Sequence, residues 1–139
     1  MGLGSSLIYL DSCLAIYLVE EIPTLSATLE NALASTMDAR FCISHLTEME
    51  CLIGPFRSGR TQLATKFEDW FQTVQTLPID SAIFRAAARL RADFSSLRTP
   101  DALHLATAIH HKCDEFWTND NRLNLVAPSL IKNPLKASS

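Results

Sequence analysis

No lysine or arginine precedes Arg40: residues 1–39 carry five acids and no base, and the rest of the chain carries twelve bases against ten acids. The two parts therefore differ in sign, and the whole has a net charge of −3 and a pI near 5.7. That balance excludes a protein that coats nucleic acid by bulk charge, leaving room only for a local basic patch. Charged residues are scarce at 19%, against 47% hydrophobic, so disorder through excess charge is excluded as well. A long apolar run is also missing. Asp11 interrupts the segment from Leu7 to Val19, and without a basic stretch ahead of it neither a secretory signal nor a membrane span is expected. Cys13, Cys42, Cys51 and Cys113 show no C-x-x-C spacing, which predicts reduced thiols used as small apolar residues in a cytoplasmic protein.

At 139 residues the chain is expected to form a single domain over 1–139, with residues 133–139 as a frayed tail. Leu7–Leu10 reads as a first, central strand. A helix to about Val19, an interruption at Pro23 and a second helix through Leu25, Leu29 and Leu33 follow as a hairpin. A second strand over 40–44 leads into a helix from about Thr47 that Gly54-Pro55 is expected to stop. Helices are predicted over about 60–75 and from an Asp80-Ser81 cap through Phe94, with a minimal strand at 77–79 between them. Thr99 is expected to cap a helix with Pro100 at its first position and Asp101 in its first turn, running to His111. Strands at 115–118 and 130–132 flank a short helix begun by Asn119-Asp120. Strands alternating with helices predict an α/β fold with a mostly parallel sheet, and no internal repeat is present.

In open parallel sheets ligands bind beyond the carboxyl ends of the strands, and three acids fall there: Asp11, Asp101 and Asp120. Glu50 joins them from the start of the helix after the second strand. Four converging carboxylates repel one another unless cations neutralise them, and all-oxygen ligation suits Mg²⁺ or Mn²⁺. Such a site suggests phosphoryl chemistry. Each acid also has a structural reading: Asp101 can serve a helix dipole, Glu50 can close a T-x-x-E box with Thr47, and Asp120 can be a plain cap. Asp11 resists such a reading, because an acid inside an apolar segment carries a desolvation cost that a surface charge avoids. Glu48 competes with Glu50, but two residues on a helix differ by roughly 200°, so the two cannot face one site. Glu50 shares a face with Leu46 and Ile53, which is expected to point it inward.

The series Leu10-Asp11-Ser12, Ser44-x-x-Thr47-x-x-Glu50-x-x-x-Gly54, Asp101-Ala102-Leu103-His104-Leu105-Ala106-Thr107-Ala108 and Trp117-Thr118-Asn119-Asp120 resembles a PIN domain, specifically the VapC-type toxin ribonucleases. The resemblance spans nearly the whole chain. It implies a PIN-like three-layer α/β/α sandwich and a Mg²⁺- or Mn²⁺-dependent endoribonuclease, with Asp11, Glu50, Asp101 and Asp120 as its acids. It also implies a homodimer neutralised by a cognate antitoxin. Cys51, where Leu or Val is common in the family, and Leu123, where an aromatic is frequent, depart from the pattern without touching an acid. On this reading Asp11, Asp101 and Asp120 hold metal and Glu50 positions or deprotonates the attacking water.

Other residues take secondary places. Arg98, close to Asp101, is the basic residue expected to contact RNA; Arg85 and Arg89 share a helix face, and Arg91 reads as a solvated neighbour of Asp93. Ser12 and Thr118 can orient carboxylates or a metal-bound water and join Arg98 as candidate substrate-binding residues, or merely cap the backbone. His104, one turn past Asp101, reads as a hydrogen-bonded core or rim histidine, with substrate contact the lesser alternative. Trp70, Phe67 and Phe71 are expected in the core or a dimer interface. The sequence has no H-E-x-x-H, G-x-S-x-G or phosphate-loop pattern, and a receiver or haloacid-type phosphatase fits poorly where Asp11-Ser12-Cys13 replaces Asp-x-Asp. A catalytically silent PIN-like binding module remains as the alternative from another class.

Overall fold

The computed structural model describes residues 6–36 and 38–136. Five strands form one all-parallel sheet: β1 (Ser6–Leu10), β2 (Ala39–Ser44), β3 (Gln75–Leu77), β4 (Glu115–Trp117) and β5 (Ile131–Lys132), in the order β3-β2-β1-β4-β5. Alternation along the strands sends side chains to both faces. Ile8, Leu10, Ile43 and Trp117 face a core built with α1 (Ser12–Val19), α2 (Leu25–Ala34), α3 (His45–Ser58) and α4 (Thr61–Phe71). Tyr9, Cys42 and Phe116 face a second core with α5 (Ser81–Asp93) and α6 (Thr99–His110). Helices thus cover both faces, giving the three-layer α/β/α arrangement of a sheet whose strands are buried on each side. The chain runs outward from β1 to β2 and β3, then returns to place β4 on the other side of β1. The order reverses there, so the crevice between the carboxyl ends of β1 and β4 is the switch point where α/β sheets bind ligands.

Several boundaries differ from the sequence expectation, each for a physical reason. Helix α3 does not stop at Gly54-Pro55; Pro55 lies inside it, buried, and the helix ends at Gly59, whose φ of 69° suits a residue without a Cβ. Proline removes one ladder bond but packs its ring into the interior. Helix α4 ends at Phe71 instead of Gln75, because residues 75–77 pair with Cys42–Ser44 as β3, and Pro78, which has no N–H to give, closes that strand. Thr99 is the first helical residue of α6, with Arg98 as cap and Pro100 next, and the helix closes one residue early at His110. The missing N–H of Pro100 still falls in the first turn, where no intrahelical acceptor exists. Asp120 caps a single 3₁₀ turn, Asn121–Leu125. Residues 133–136 are not frayed: Asn133 bonds Asn119 and Asn121, and Leu135 packs on the first core. The expected tail's last residues, 137–139, lie outside the described residues. No helix among the described residues is long and apolar enough to cross a membrane.

Candidate active site

Asp11 stands at the switch point, where β1 ends and α1 begins, as the N-cap of α1. One carboxylate oxygen accepts the Ser12 N–H at 2.8 Å and the other accepts the Thr118 hydroxyl at 2.7 Å. The Asp11 N–H donates to the Trp117 carbonyl, so β4 fixes its backbone too. Burial raises its pKa; the charge of His104 and the hydrogen bonds from Thr118 and Ser12 work against that rise, and the nearby Asp101 adds to it. Thr118 also accepts the Asp120 N–H at 3.0 Å, so a single hydroxyl positions two of the four acids.

Glu50 lies in the second turn of α3, not the first. Its oxygen Oε1 meets His104 Nε2 at 2.6 Å, and the other imidazole nitrogen meets the Tyr9 hydroxyl at 2.6 Å. Tyr9 in turn shares hydrogen bonds with Ser44 at 2.8 Å and Thr47 at 3.3 Å. Tyr9 and Glu50 thus hold the imidazole from both of its nitrogens, and Ser44 and Thr47 hold Tyr9 in turn. Burial alone would raise the Glu50 pKa, but the hydrogen bond and charge of His104, with Ser12 and Arg98, overcome it and hold the group below the ordinary glutamate value. Thr47 is not paired with Glu50 in a cap; its hydroxyl accepts the Ser44 N–H. Glu50 does not owe its orientation to a face shared with Leu46 and Ile53, since Ile53 is 44% exposed and the buried positions of α3 are Thr47, Cys51 and Pro55. Glu48 turns away toward His45 and Thr76.

The other two acids face solvent-exposed arginines. Asp101, third residue of α6, meets Arg98 Nε at 3.4 Å. Asp120 accepts a fork from Arg122, at 2.9 Å from Nε and 2.6 Å from Nη2, which holds its carboxyl below the usual range. The charge of Arg98 also reaches Glu50 and Asp120. Arg91, read as solvated from the sequence, ties down the approach to α6 by donating to the Leu97 carbonyl and the Thr99 hydroxyl, each at 2.9 Å. Phe67 and Phe71 are buried in the core, with Trp70 packed at its edge.

Sequence reasoning gave His104 a secondary place and passed over Tyr9 and Arg122. The available signals were the position of His104 one turn beyond Asp101 and the arginine two residues after Asp120. As donors, the acids are all-oxygen and suit Mg²⁺ or Mn²⁺. Yet among the described residues no three Asp, Glu, His or Cys side chains stand together as an ion-holding group, and Asp101 and Asp120 are each turned onto a guanidinium group.

The fold is found in solved structures. VapBC2 from Rickettsia felis, bound to a DNA fragment from its promoter, matches with a TM-score of 0.78 at 15% identity, covering 91% of this chain and 98% of that one. A toxin-antitoxin complex from Klebsiella pneumoniae matches with a TM-score of 0.75 at 23% identity, covering 91% and 97%. VapC20 from Mycobacterium tuberculosis, a sarcin-ricin loop cleaving toxin, matches with a TM-score of 0.74 at 13% identity, covering 86% and 95%. At such identities the likeness establishes the fold. No curated protein matches the chain in sequence. The PIN domain model, however, matches residues 8–127, from the first strand past the Asp120 turn, and on that span the chain belongs to the PIN domain family.

Proposed function

We propose that this chain is a single-domain, metal-dependent endoribonuclease and the VapC-type toxin of a toxin-antitoxin pair, acting in the cytoplasm. The observation that carries this reading is Asp11: a carboxylate nine-tenths buried at the switch point, aimed by Thr118 and Ser12, with Asp101 near enough to raise its pKa. A fold that keeps a like-charged pair in such a place does so at a cost in stability, and a bound cation would remove that cost. Asp11, Asp101 and Asp120 would hold Mg²⁺ or Mn²⁺, which would supply charge stabilisation at the scissile phosphate. Glu50, kept ionised by His104, accepts a proton from the attacking water. Arg98 and Arg122 are placed to grip backbone phosphates, and Ser12 holds Glu50 and Asp11 in register.

Two exposed apolar stripes support protein partners, an antitoxin and a second copy of the chain. Met49, Ile53 and Phe56 follow one another along α3, and Phe84 and Ile109 flank the grooves between α5 and α6. The test is cleavage of a mixed small-RNA pool by the purified chain with Mg²⁺, Mn²⁺ or chelator, beside an Asp101→Asn control. Metal-dependent cuts that the control lacks are expected. Absence of Mn²⁺ binding by calorimetry would instead favour the silent binding module.

A further inference from the structure

A cavity of about 310 Å³ opens beside the acids, with Asp101 and Asp120 in its wall. Its remaining surface is mostly apolar: Leu97 and Leu123 form a buried floor, Phe94 and Val126 the half-buried sides, and Leu125 an outer lip that is 82% exposed. Arg98 and Arg122 stand at the rim, with side chains 70% and 72% exposed. Phosphate recognition alone needs no apolar wall. The grooves between α5 and α6 and the cavity by Trp117 and Lys132 touch none of the four acids, so this cavity is distinguished by continuity with them.

We propose that the cavity receives the nucleobase adjoining the scissile phosphate of single-stranded RNA, and so sets which base flanks the cut. The proposal rests on the ribonuclease reading of the acids. A strand whose phosphate lies at Asp101 and Asp120 must carry its neighbouring nucleotide past this wall. An aromatic ring beside apolar side chains, rimmed by guanidinium planes, takes an unstacked base by stacking and cation–π contact. The volume lies at the lower end of the range for small-ligand sites, so one base fits it better than several. Leu125, exposed on a single 3₁₀ turn, contributes little to the core and is free to serve recognition.

Two measurements on the full chain test this. In the first, the Glu50→Gln variant is titrated with AMP, GMP, CMP and UMP while the methyl NMR signals of Leu97, Leu123, Leu125 and Val126 are followed. Those signals are expected to shift, with one base binding tightest. Phe94→Leu and Leu125→Ala added to that background should weaken it by about fivefold or more, and Gln62→Ala, by the separate cavity at the start of α4, should not. Equal shifts with inorganic phosphate, shifts confined to other residues, or shifts only with a peptide overturn the proposal. In the second, cut ends from a random RNA pool are sequenced. Leu125→Ala should flatten the base preference at one flanking position, and an unchanged preference overturns the proposal. Failure of the unmutated chain to cut any RNA would sink the ribonuclease reading, while the NMR titration still decides whether the cavity binds a base.

Discussion

The four acids fall into an inner and an outer pair that are held by different physics. Asp11 and Glu50 are fixed by partners inside the protein: Thr118 is fully buried, and His104, at 1% exposure, leans on a fully buried Tyr9. Asp101 and Asp120 are held by long arginine side chains that reach in from solvent. A buried hydrogen-bond chain with every member satisfied is rigid, because any displacement strands a polar group in a low-dielectric interior. An exposed ion pair is exchangeable, since solvent and salt compete for both partners. The inner pair therefore sets geometry, and the outer pair can trade its guanidinium partners for an incoming cation or phosphate. The difference in fixing is a division of labour within one site.

Removing one partner from each pair breaks the comparison most sharply. Thr118→Val keeps the shape but leaves an oxygen of Asp11 without its donor and frees the backbone of Asp120. Activity and Mn²⁺ affinity are expected to fall about 10–100-fold, as for other groups that orient metal ligands. Arg122→Ala, on the outer side, should leave the melting temperature unchanged and lower the salt dependence of RNA binding by about one unit of log–log slope. Equal losses of Mn²⁺ affinity in the two variants, measured by calorimetry, would erase the distinction.

A smaller effect is expected one step further in. Tyr9→Phe keeps the ring stacked on Phe116, 5.2 Å away between centroids, and deletes only the hydroxyl that joins Ser44 to His104. Buried polar atoms left unpaired should cost about 1–3 kcal/mol, read as a lower urea midpoint. Because His104 then loses the bond that fixes its ring, kcat should fall while KM stays level. A stability loss with kcat intact would reduce the chain to a structural device and detach it from Glu50.

How much of this was legible in the sequence follows the same inner and outer division. Asp11 announced itself because a charge inside an apolar segment violates the local pattern, and such violations mark function. The first turn of α6 was readable from Pro100 and Asp101, since capping chemistry is local. The Tyr9–His104–Glu50 chain was not, because it joins residues 95 and 54 positions apart, and neighbours from different elements leave no spacing in a single sequence. Cys42 and Cys113 show the same limit: read as scattered, they lie 3.8 Å apart between sulfurs. The end of α4 failed for a related reason, since pairing with β2 outweighs helical periodicity in residues 75–77.

The smallest predicted change in stability carries the sign that best separates function from stability at Asp11. Its pKa is raised in the folded chain, chiefly by burial. A group raised in this way contributes stability that is fully present below its unfolded pKa and lost as pH rises through the folded value. Ionising Asp11 therefore burdens the fold, opposite to Glu50, whose depressed pKa contributes stability above the unfolded value and loses it as pH falls through the folded one. Asp11→Asn relieves the burden while keeping an oxygen for Thr118 or Ser12. It should abolish cleavage yet raise stability at pH 7 by on the order of 1 kcal/mol, a few degrees in Tm, with the gain vanishing in acid. Thermal melts of both proteins from pH 3 to 8 in chelator decide the matter. A variant that melts lower than the parent at pH 7 would mean that Asp11 serves the fold, and the strongest support for a cation-dependent site would be gone.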